Sequence, residues 1–193
     1  MNLVEATGRN TVANAPTVEL AVQLFRITGN QQLLTFATMD YEWVRRCLLL
    51  PSGLYADSIH PRGQLDPTVW SYNQGTMIGA GTLLYQATGN SAFLAQARET
   101  ARAALSYFTL ARLRAELPFF PSIYFRNLMY LDSVTHDPPG PRLAQSYVDY
   151  AWTNQRLGND LFVWGAPPSP QLLVQAAFTQ IYGLLSSPPP TYF

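Results

Sequence analysis

The chain has 193 residues, of which 48% are hydrophobic, 13% are aromatic and only 12% are charged, and its formal net charge is zero. This composition excludes a disordered chain, and the length suits one domain. Because no run of like charges occurs, we expect no nucleic-acid binding and no attachment to an anionic membrane. No apolar run approaches the roughly 20 residues of a transmembrane helix, so we predict no membrane span.

Cysteine and histidine are scarce. Cys47 is the only cysteine, which excludes a disulfide within the chain and a cysteine-based zinc site. The two histidines, His60 and His136, lie far apart in sequence. We therefore predict no metal site and no cofactor. The segment Met1–Glu5 carries no apolar signal region, so the sequence shows no export signal.

Helical periodicity between glycine and proline breaks predicts seven helices. We expect the first 13 residues to be irregular and Asn14 to cap the first helix, which ends at Thr28. The other predicted helices span about 31–48, 74–88, 91–110, 122–135, 142–157 and 171–185. The third of these is rich in glycine, which costs about 1 kcal/mol per residue relative to alanine in a helix, so we expect close packing to offset that cost.

The first two pairs of helices repeat at an offset of 60 residues. Thr28-Gly29-Asn30 aligns with Thr88-Gly89-Asn90, and Asn14 aligns with Gln74. Such a repeat predicts an array of helical hairpins. If the first helix of each pair lies in the inner ring of a toroid, their N-termini share one end, where a cleft would form. The same pattern also fits an ordinary stack of α-hairpins without catalytic function.

Polar side chains collect in the non-helical segment 49–73, and loops of this length are often functional. Glycoside hydrolysis usually needs two carboxyl groups about 5–9.5 Å apart. Asp57 and Asp66 are the only pair in this segment, but their spacing does not show that they meet. Asp57 fits better as a ligand of sugar hydroxyls or as a turn residue, and Asp66 fits a turn.

Aromatic and amide side chains around the start of the third helix suit sugar recognition, because aromatic rings stack on sugars and amides bind hydroxyl groups. The predicted substrate-binding residues are Asp57, Tyr72, Asn73, Gln74, Trp70 and Asn14. Structural roles remain open as alternatives: Asn73 and Asn14 could cap helices, and Tyr72 and Trp70 could pack against neighbours. For Asn14 we favour the cap.

Several segments together resemble glycoside hydrolase family 76, the endo-α-1,6-mannanase family. The strongest similarity lies in Tyr72-Asn73-Gln74-Gly75, in the helix end Leu84–Asn90 and in Phe93-Leu94. Further similar segments are Asn14-Ala15, Gly53–Asp57, Phe120–Arg126, and the region around Trp164 and Gln175–Ala177. The resemblance implies an (α/α)6 barrel that cleaves α-1,6-linked mannose polymers with two adjacent aspartates.

This sequence contains no two adjacent acidic residues, and seven helices are too few for a ring of twelve. We therefore expect residues 1–193 to form a single all-α domain, an incomplete (α/α)6 toroid of about seven helices in helical hairpins. The chain would correspond to the C-terminal half, or somewhat more, of the family domain, with no catalytic residue of its own. Exposed apolar helix faces would then favour self-association.

The resemblance predicts a glycoside hydrolase-like protein that acts on or binds α-1,6-linked mannan-type polysaccharide, with little or no hydrolysis by the isolated chain. It also implies a secreted or cell-surface location for family members. Two alternatives remain open: a non-catalytic carbohydrate-binding or interaction module on an α/α-hairpin scaffold, and an unrelated α/α toroid of the sugar epimerase or lanthionine synthetase type.

Overall fold

The computed structural model describes residues 9–137, 139–165 and 171–187, which lie in two compact units, Met1–Ala104 and Leu105–Phe193. Eight helices occur in the described residues: α1 (Thr11–Thr28), α2 (Gln31–Leu48), α3 (Ser71–Thr88), α4 (Ser91–Tyr107), α5 (Leu110–Ala115), α6 (Phe119–Thr135), α7 (Gly140–Asn154) and α8 (Leu172–Ser186). Three short strands accompany them: β1 (Arg9–Asn10), β2 (Ser58–Ile59) and β3 (Leu65–Asp66). Among the helices described, none is long and apolar enough to span a bilayer.

The predicted helical hairpins and their offset of 60 residues are confirmed. Helices α1 and α3 each have 18 residues and end at glycines in the left-handed conformation, Gly29 at φ 69° and Gly89 at φ 70°. In both turns the asparagine that follows, Asn30 or Asn90, accepts a hydrogen bond at 3.0 Å from the backbone N–H two residues later. In both turns a glycine ends one helix and an asparagine caps the next, so the chain reverses direction in the same way at both places.

Helix α3 lies at the centre of the first unit, with 13 of its 18 residues buried. Its glycines allow this close packing. A Cβ atom built on Gly81 would lie 2.7 Å from the Tyr41 hydroxyl of α2 and 3.2 Å from the Phe93 carbonyl oxygen of α4. The expectation that close packing offsets the low helix propensity of glycine is thus met at this position.

A small antiparallel sheet joins the start of α1 to the segment between α2 and α3, and it was not predicted. Arg9 pairs with Ile59, which pairs in turn with Leu65. Strands of two residues leave no alternation of apolar and polar side chains for the sequence to reveal. The prediction that residues 1–13 are irregular is wrong for 9–13, which form β1 and the first turn of α1; residues 1–8 lie outside the described part.

The structure contradicts the favoured helix cap, Asn14, and also the alternative in which Asn73 caps a helix. Helix α1 begins at Thr11 with Asn10 as its N-cap, so Asn14 lies inside the helix. Helix α3 begins at Ser71 with Trp70 as its N-cap and no side-chain cap, so Asn73 lies in the first turn. In both cases the N-cap residue, Asn10 or Trp70, has an extended backbone and its side chain makes no capping hydrogen bond.

Other helix boundaries also differ from the prediction, and α7 spans Gly140–Asn154 instead of about 142–157. Helix α6 begins at Phe119 because Pro118 is its N-cap and Pro121 lies in its first turn, where proline removes no intrahelical hydrogen bond. The predicted fourth helix ends at Tyr107, and a separate short helix, α5, follows with Thr109 as its cap. The hydroxyl of Thr109 accepts a hydrogen bond from the backbone N–H of Arg112 at 3.4 Å.

In the second unit, α6 packs against α7 and α8 around a cluster of aromatic side chains. Phe125 of α6 meets Tyr147 of α7 edge-on at 5.5 Å between ring centroids. Tyr147 also stacks on Phe178 of α8 at 6.0 Å. All three rings are buried, so they form the centre of this unit's core.

One carboxylate in this unit is buried at a helix junction. Asp132, near the end of α6, accepts a hydrogen bond at 2.8 Å from the backbone N–H of Gly140, where α7 begins. The pKa of Asp132 is raised to about 7, mainly because burial disfavours the charged form; the hydrogen bond from Gly140 lowers the pKa and the charge of Asp137 raises it, and both effects are included in that value. Because the folded pKa lies above the unfolded value, the native state binds more protons than the unfolded state between about pH 4 and pH 7.

The free energy of unfolding is therefore expected to fall as the pH rises from about 4 to about 7, to the extent that Asp132 contributes. Asp132→Asn keeps an acceptor for Gly140 and removes the charge, so the variant should gain stability relative to the unaltered chain over this range. Urea unfolding at several pH values measures the difference. Asp149→Asn, at an exposed carboxylate of α7, is the control. The raised pKa of Asp132 would be contradicted if the variant and the unaltered chain differed in free energy of unfolding by the same amount at every pH.

Candidate functional site

The segment between α2 and α3 is held in place by a buried side-chain amide. The backbone N–H of Tyr55 donates to Gln74 Oε1 at 2.7 Å, and Gln74 Nε2 donates to the carbonyl oxygens of Tyr55 and Trp70, both at 3.0 Å. Gln74 is fully buried. Its Oε1 and both hydrogens of Nε2 are thus engaged within the protein, so Gln74 positions the segment on either side of it.

Three of the six predicted substrate-binding residues meet at one carboxylate. The backbone of Asp57 is fixed because its carbonyl accepts from Thr11 N–H at 2.9 Å and its N–H donates to Asp66 O at 3.1 Å. Its Oδ1 atom accepts from the Tyr72 hydroxyl at 3.3 Å and from Asn73 Nδ2 at 3.2 Å. Asp57 and Tyr72 are both half-buried, so this junction reaches the surface.

Next to this junction lie a pair of aromatic rings and an unsatisfied acceptor. The rings of Trp70 and Tyr72 stack with centroids 6.4 Å apart and planes at 10°, and both residues are half-buried. Asn73 Oδ1 is buried and accepts no hydrogen bond in the structure. A buried acceptor without a donor is uncommon, and a buried water molecule can satisfy it. An aromatic face, a carboxylate and an amide therefore occur together, as sugar recognition requires.

Asn14 lies at the position in α1 that corresponds to Gln74 in α3, as the offset of 60 predicts. Its Nδ2 donates to the carbonyl oxygen of Asn10 at 2.7 Å, four residues earlier. Gln74 makes the same bond to Trp70, also four residues earlier and also the N-cap of its helix. Among the described residues, Asn14 makes no hydrogen bond to Asp57, Tyr72 or Asn73.

A third amide of this kind occurs in the second unit and was not singled out as a functional residue. The backbone N–H of Phe162 donates to Gln175 Oε1 at 2.9 Å, and Gln175 Nε2 donates to Phe162 O at 2.7 Å and to Gln171 O at 3.3 Å. Gln171 is the N-cap of α8. The sequence signal that would have found this clamp is an amide four residues after the N-cap, shared by Asn14, Gln74 and Gln175.

Asp66 has the local role of a turn residue. Its Oδ1 accepts from the backbone N–H of Thr68 at 3.0 Å and from the Thr68 hydroxyl at 2.6 Å. These hydrogen bonds lower the pKa of Asp66 below its ordinary value. His60 lies in the turn between β2 and β3, where its carbonyl accepts from the N–H of Gly63 at 2.8 Å. In the described residues no three metal-binding side chains lie together.

Comparison with known proteins identifies the family of the chain. The family model for glycosyl hydrolase family 76 matches residues 2–132. The mannan endo-1,6-alpha-mannosidase DCW1 of Saccharomyces cerevisiae is 29% identical over 107 residues, which cover 52% of this chain and 24% of the yeast protein. The chain therefore spans about a quarter of that curated relative's length.

Solved structures support the same fold. An inactive variant of the alpha-1,6-mannanase GH76A of Salegentibacter sp. HEL1_6, in complex with alpha-1,6-mannotriose, matches with a TM-score of 0.80 and 24% identity. The match covers 93% of this chain and 59% of that chain. A D-mannose isomerase also matches, with a TM-score of 0.76 and 17% identity, over 93% of this chain and 54% of the isomerase.

These likenesses confirm the predicted all-α fold of helical hairpins, part of an (α/α)6 toroid. The isomerase shares this fold at 17% identity, which supports no statement about its activity in this chain. The family model, in contrast, matches more than half of the 193 residues and includes the whole Asp57 junction. The chain belongs to glycosyl hydrolase family 76.

Proposed function

We propose that this chain binds α-1,6-linked mannan-type oligo- or polysaccharide at the Asp57 junction. The observation that carries the proposal is the convergence of the Tyr72 hydroxyl and the Asn73 amide on Asp57 Oδ1, beside the stacked ring of Trp70. A sugar hydroxyl can donate to the half-buried carboxylate of Asp57, and an apolar sugar face can pack on the aromatic pair.

The proposed roles differ among the six predicted residues. Asp57 and Tyr72 contact sugar hydroxyls, and Trp70 provides the aromatic face. Asn73 is fully buried and acts as a positioning residue, because its amide donates to Asp57 Oδ1. Gln74 acts as a positioning residue, because its amide is fully used by Tyr55 and Trp70. For Asn14, the hydrogen bond to Asn10 supports a positioning role in α1, and direct sugar contact remains the alternative.

The substrate class in this proposal comes from the relatives. The yeast relative is named for the hydrolysis of mannan at 1,6-alpha linkages, and the Salegentibacter protein is an alpha-1,6-mannanase that was solved with alpha-1,6-mannotriose. In the inactive Salegentibacter variant, two consecutive aspartates are replaced by asparagine. The 193 residues contain no two consecutive acidic residues. We therefore propose sugar binding with little or no hydrolysis by these residues alone.

Single substitutions at the junction should weaken sugar binding without unfolding the chain. Asn73→Ala removes the hydrogen bond that orients Asp57, and we expect about tenfold weaker binding of α-1,6-mannotriose, which corresponds to about 1.4 kcal/mol. Tyr72→Phe removes one hydroxyl and should have a smaller effect in the same direction. Isothermal titration calorimetry measures both, with circular dichroism as the test of folding.

Tyr85→Phe is the matched control, because Tyr85 lies on the same helix as Tyr72 but near its other end. This variant should bind like the unaltered chain. Unchanged affinity in Asn73→Ala, with Tyr85→Phe also unchanged, would show that the junction does not contact the sugar.

A second candidate role, as an interaction module, is favoured by one exposed helix face. At equivalent positions of the repeat, Leu20 of α1 is 58% exposed and Ala80 of α3 is 0% exposed; Leu24 is 38% exposed and Leu84 is 0% exposed. Helix α1 packs against α2 and α3 on its other side. Neighbouring elements therefore cover this face in α3, whereas the equivalent face of α1 is exposed.

We propose that a second copy of the chain covers this face of α1, so that the chain self-associates. Light scattering should show a dimer or larger species at high protein concentration. Leu20→Gln should shift the equilibrium towards monomer, because it places a polar group on the covered face. A monomer at all concentrations in the unaltered chain would contradict the proposal.

A further inference from the structure

A cavity of about 300 Å³ lies in the first unit, between α2 and the small sheet. Its volume is at the lower end of the range of about 300–1,000 Å³ that is typical of small-ligand sites. The described residues that line it come from α2, from the sheet and from the turn between β2 and β3, and they include Arg9, Trp43, Cys47, Ile59 and His60. None of the predicted substrate-binding residues is among them, so this cavity is separate from the Asp57 junction.

Backbone hydrogen bonds fix the points from which two basic side chains leave the sheet. Arg9 of β1 pairs with Ile59 of β2, the residue directly before His60. The N–H of His60 donates to the carbonyl oxygen of Gln64 at 2.8 Å, and the carbonyl oxygen of His60 accepts from the N–H of Gly63 at 2.8 Å. Arg9 and His60 therefore start from adjacent places in the backbone, and both line the cavity.

The hydrogen-bonding side chains of the wall are donors. The guanidinium carbon of Arg9 lies 5.6 Å from the ring centroid of Trp43, a cation–π contact that leaves the N–H groups at the edge of the guanidinium able to donate. Arg9 forms no ion pair within the described part of the chain. His60 is exposed and carries at least one N–H donor in either charge state. No described residue of the wall has a carboxylate, amide or hydroxyl side chain.

This wall excludes three classes of ligand and favours a fourth. A cation would be repelled by Arg9, and an apolar ligand would strip water from its guanidinium. A neutral polyol would find donors for its oxygens but no carboxylate or amide acceptor for its hydroxyl hydrogens. An oxyanion only accepts hydrogen bonds, and the planar guanidinium of arginine matches two oxygens of a phosphate group at once.

One carboxylate lies near enough to His60 to be influenced by its charge. Hydrogen bonds from Thr68 lower the pKa of Asp66 most, and the charge of His60 lowers it least. Asp66 Oδ1 already accepts from the N–H and the hydroxyl of Thr68, and Asp66 does not line the cavity. Within the described residues it makes no hydrogen bond to His60 or Arg9. The donors of the wall therefore remain available to a ligand.

We infer that this cavity binds a small phosphate ester. Arg9 and His60 donate to the phosphate oxygens, and the organic group that carries the phosphate lies against the apolar part of the wall, which includes Ile59. A volume of about 300 Å³ accommodates both parts. This inference goes beyond the proposed function and does not depend on it.

Cys47 gives a direct readout, because it lines the cavity, is half-buried and is the only cysteine of the chain. A bound ligand should shield its thiol from iodoacetamide, a neutral alkylating reagent, and mass spectrometry of the full chain measures the rate. At an ionic strength held constant with sodium chloride, mannose 6-phosphate should slow the alkylation in a saturable way. Mannose, the matched neutral sugar, should leave the rate unchanged.

Substitution of the basic residues tests which groups hold the phosphate. Arg9→Gln should raise the concentration of mannose 6-phosphate needed for half of the protection by about tenfold or more, because hydrogen bonds between charged groups are lost. His60→Ala should have a smaller effect in the same direction. Arg62→Gln is the matched control, since Arg62 is an exposed arginine of the same turn that does not line the cavity. Circular dichroism checks that each variant is folded.

Several outcomes would overturn the inference. These are an alkylation rate that mannose 6-phosphate does not change, equal protection by mannose, and protection that Arg9→Gln leaves intact. Equal losses in Arg9→Gln and Arg62→Gln would show attraction by overall charge instead of a site, and would also overturn it. The proposed function is tested separately, because Asn73→Ala should weaken the binding of α-1,6-mannotriose and leave the protection of Cys47 by mannose 6-phosphate unchanged.

Discussion

Replacing Gln74 with leucine is expected to lower the free energy of unfolding by about 3–5 kcal/mol, because each buried backbone group left without a partner costs about 1–3 kcal/mol. The substitution would leave the N–H and C=O of Tyr55 and the C=O of Trp70 without the amide that pairs them. Tyr55 is fully buried, so water cannot easily replace the lost bonds. Urea unfolding followed by circular dichroism measures the change.

Gln175→Leu is the matched comparison in the second unit. Gln175 makes the same three types of hydrogen bond but is only half-buried, so water can replace part of what is lost. We expect a smaller loss of about 1–2 kcal/mol. A loss below about 1 kcal/mol for Gln74→Leu would show that its amide does not hold the segment in place. Sugar binding should fall in parallel, because Tyr55 and Trp70 flank the Asp57 junction in sequence.

Gly81→Ala should destabilise the chain although alanine is the better helix former. The added Cβ would lie 2.7 Å from the Tyr41 hydroxyl and 3.2 Å from both the Phe93 carbonyl oxygen and the Ala97 Cβ. Tyr41 is buried and cannot move aside freely. Overpacking of this kind costs about 1–3 kcal/mol, whereas the gain in helix propensity is about 1 kcal/mol, so we expect a net loss of stability.

The control for Gly81 is another helical glycine with open space around it. A Cβ on Gly183 of α8 would meet no atom within 4 Å, so Gly183→Ala should raise the free energy of unfolding by about 0.5–1 kcal/mol. Tyr41→Phe removes the nearest contact and should rescue part of the Gly81→Ala loss in a double-mutant cycle. Stabilisation by Gly81→Ala would mean that α2 and α4 do not pack against α3 as the structure shows.

The helical part of the fold could be predicted because its signals are local. Gly29 and Gly89 each end a helix in the left-handed conformation, and the asparagine after each caps the next helix. The small sheet was missed because β1, β2 and β3 have two residues each, too few for a period. The early start of α6 was missed because Pro121 was interpreted as a break, whereas it lies in the first helical turn.

The candidate site was predictable in composition but not in roles. The sequence predicted Asp57, Tyr72 and Asn73 together, and the structure brings these three side chains into contact. The sequence could not show that Tyr55 and Trp70 occupy the hydrogen-bonding groups of the Gln74 amide. Tyr55 reaches Gln74 in a segment that also forms an antiparallel bridge between Leu49 and Tyr55, and no local pattern predicts that bridge.

We propose that the Asp57 junction holds a mannan-type sugar and that these residues alone break its bonds slowly or not at all. The most direct measurement incubates the 193-residue chain with α-1,6-mannotetraose and follows binding by calorimetry and hydrolysis by the release of reducing ends. We predict a binding signal that Asn73→Ala weakens and no release of reducing ends above the protein-free control. Absence of binding, or clear hydrolysis that persists in repeated preparations, would contradict the claim.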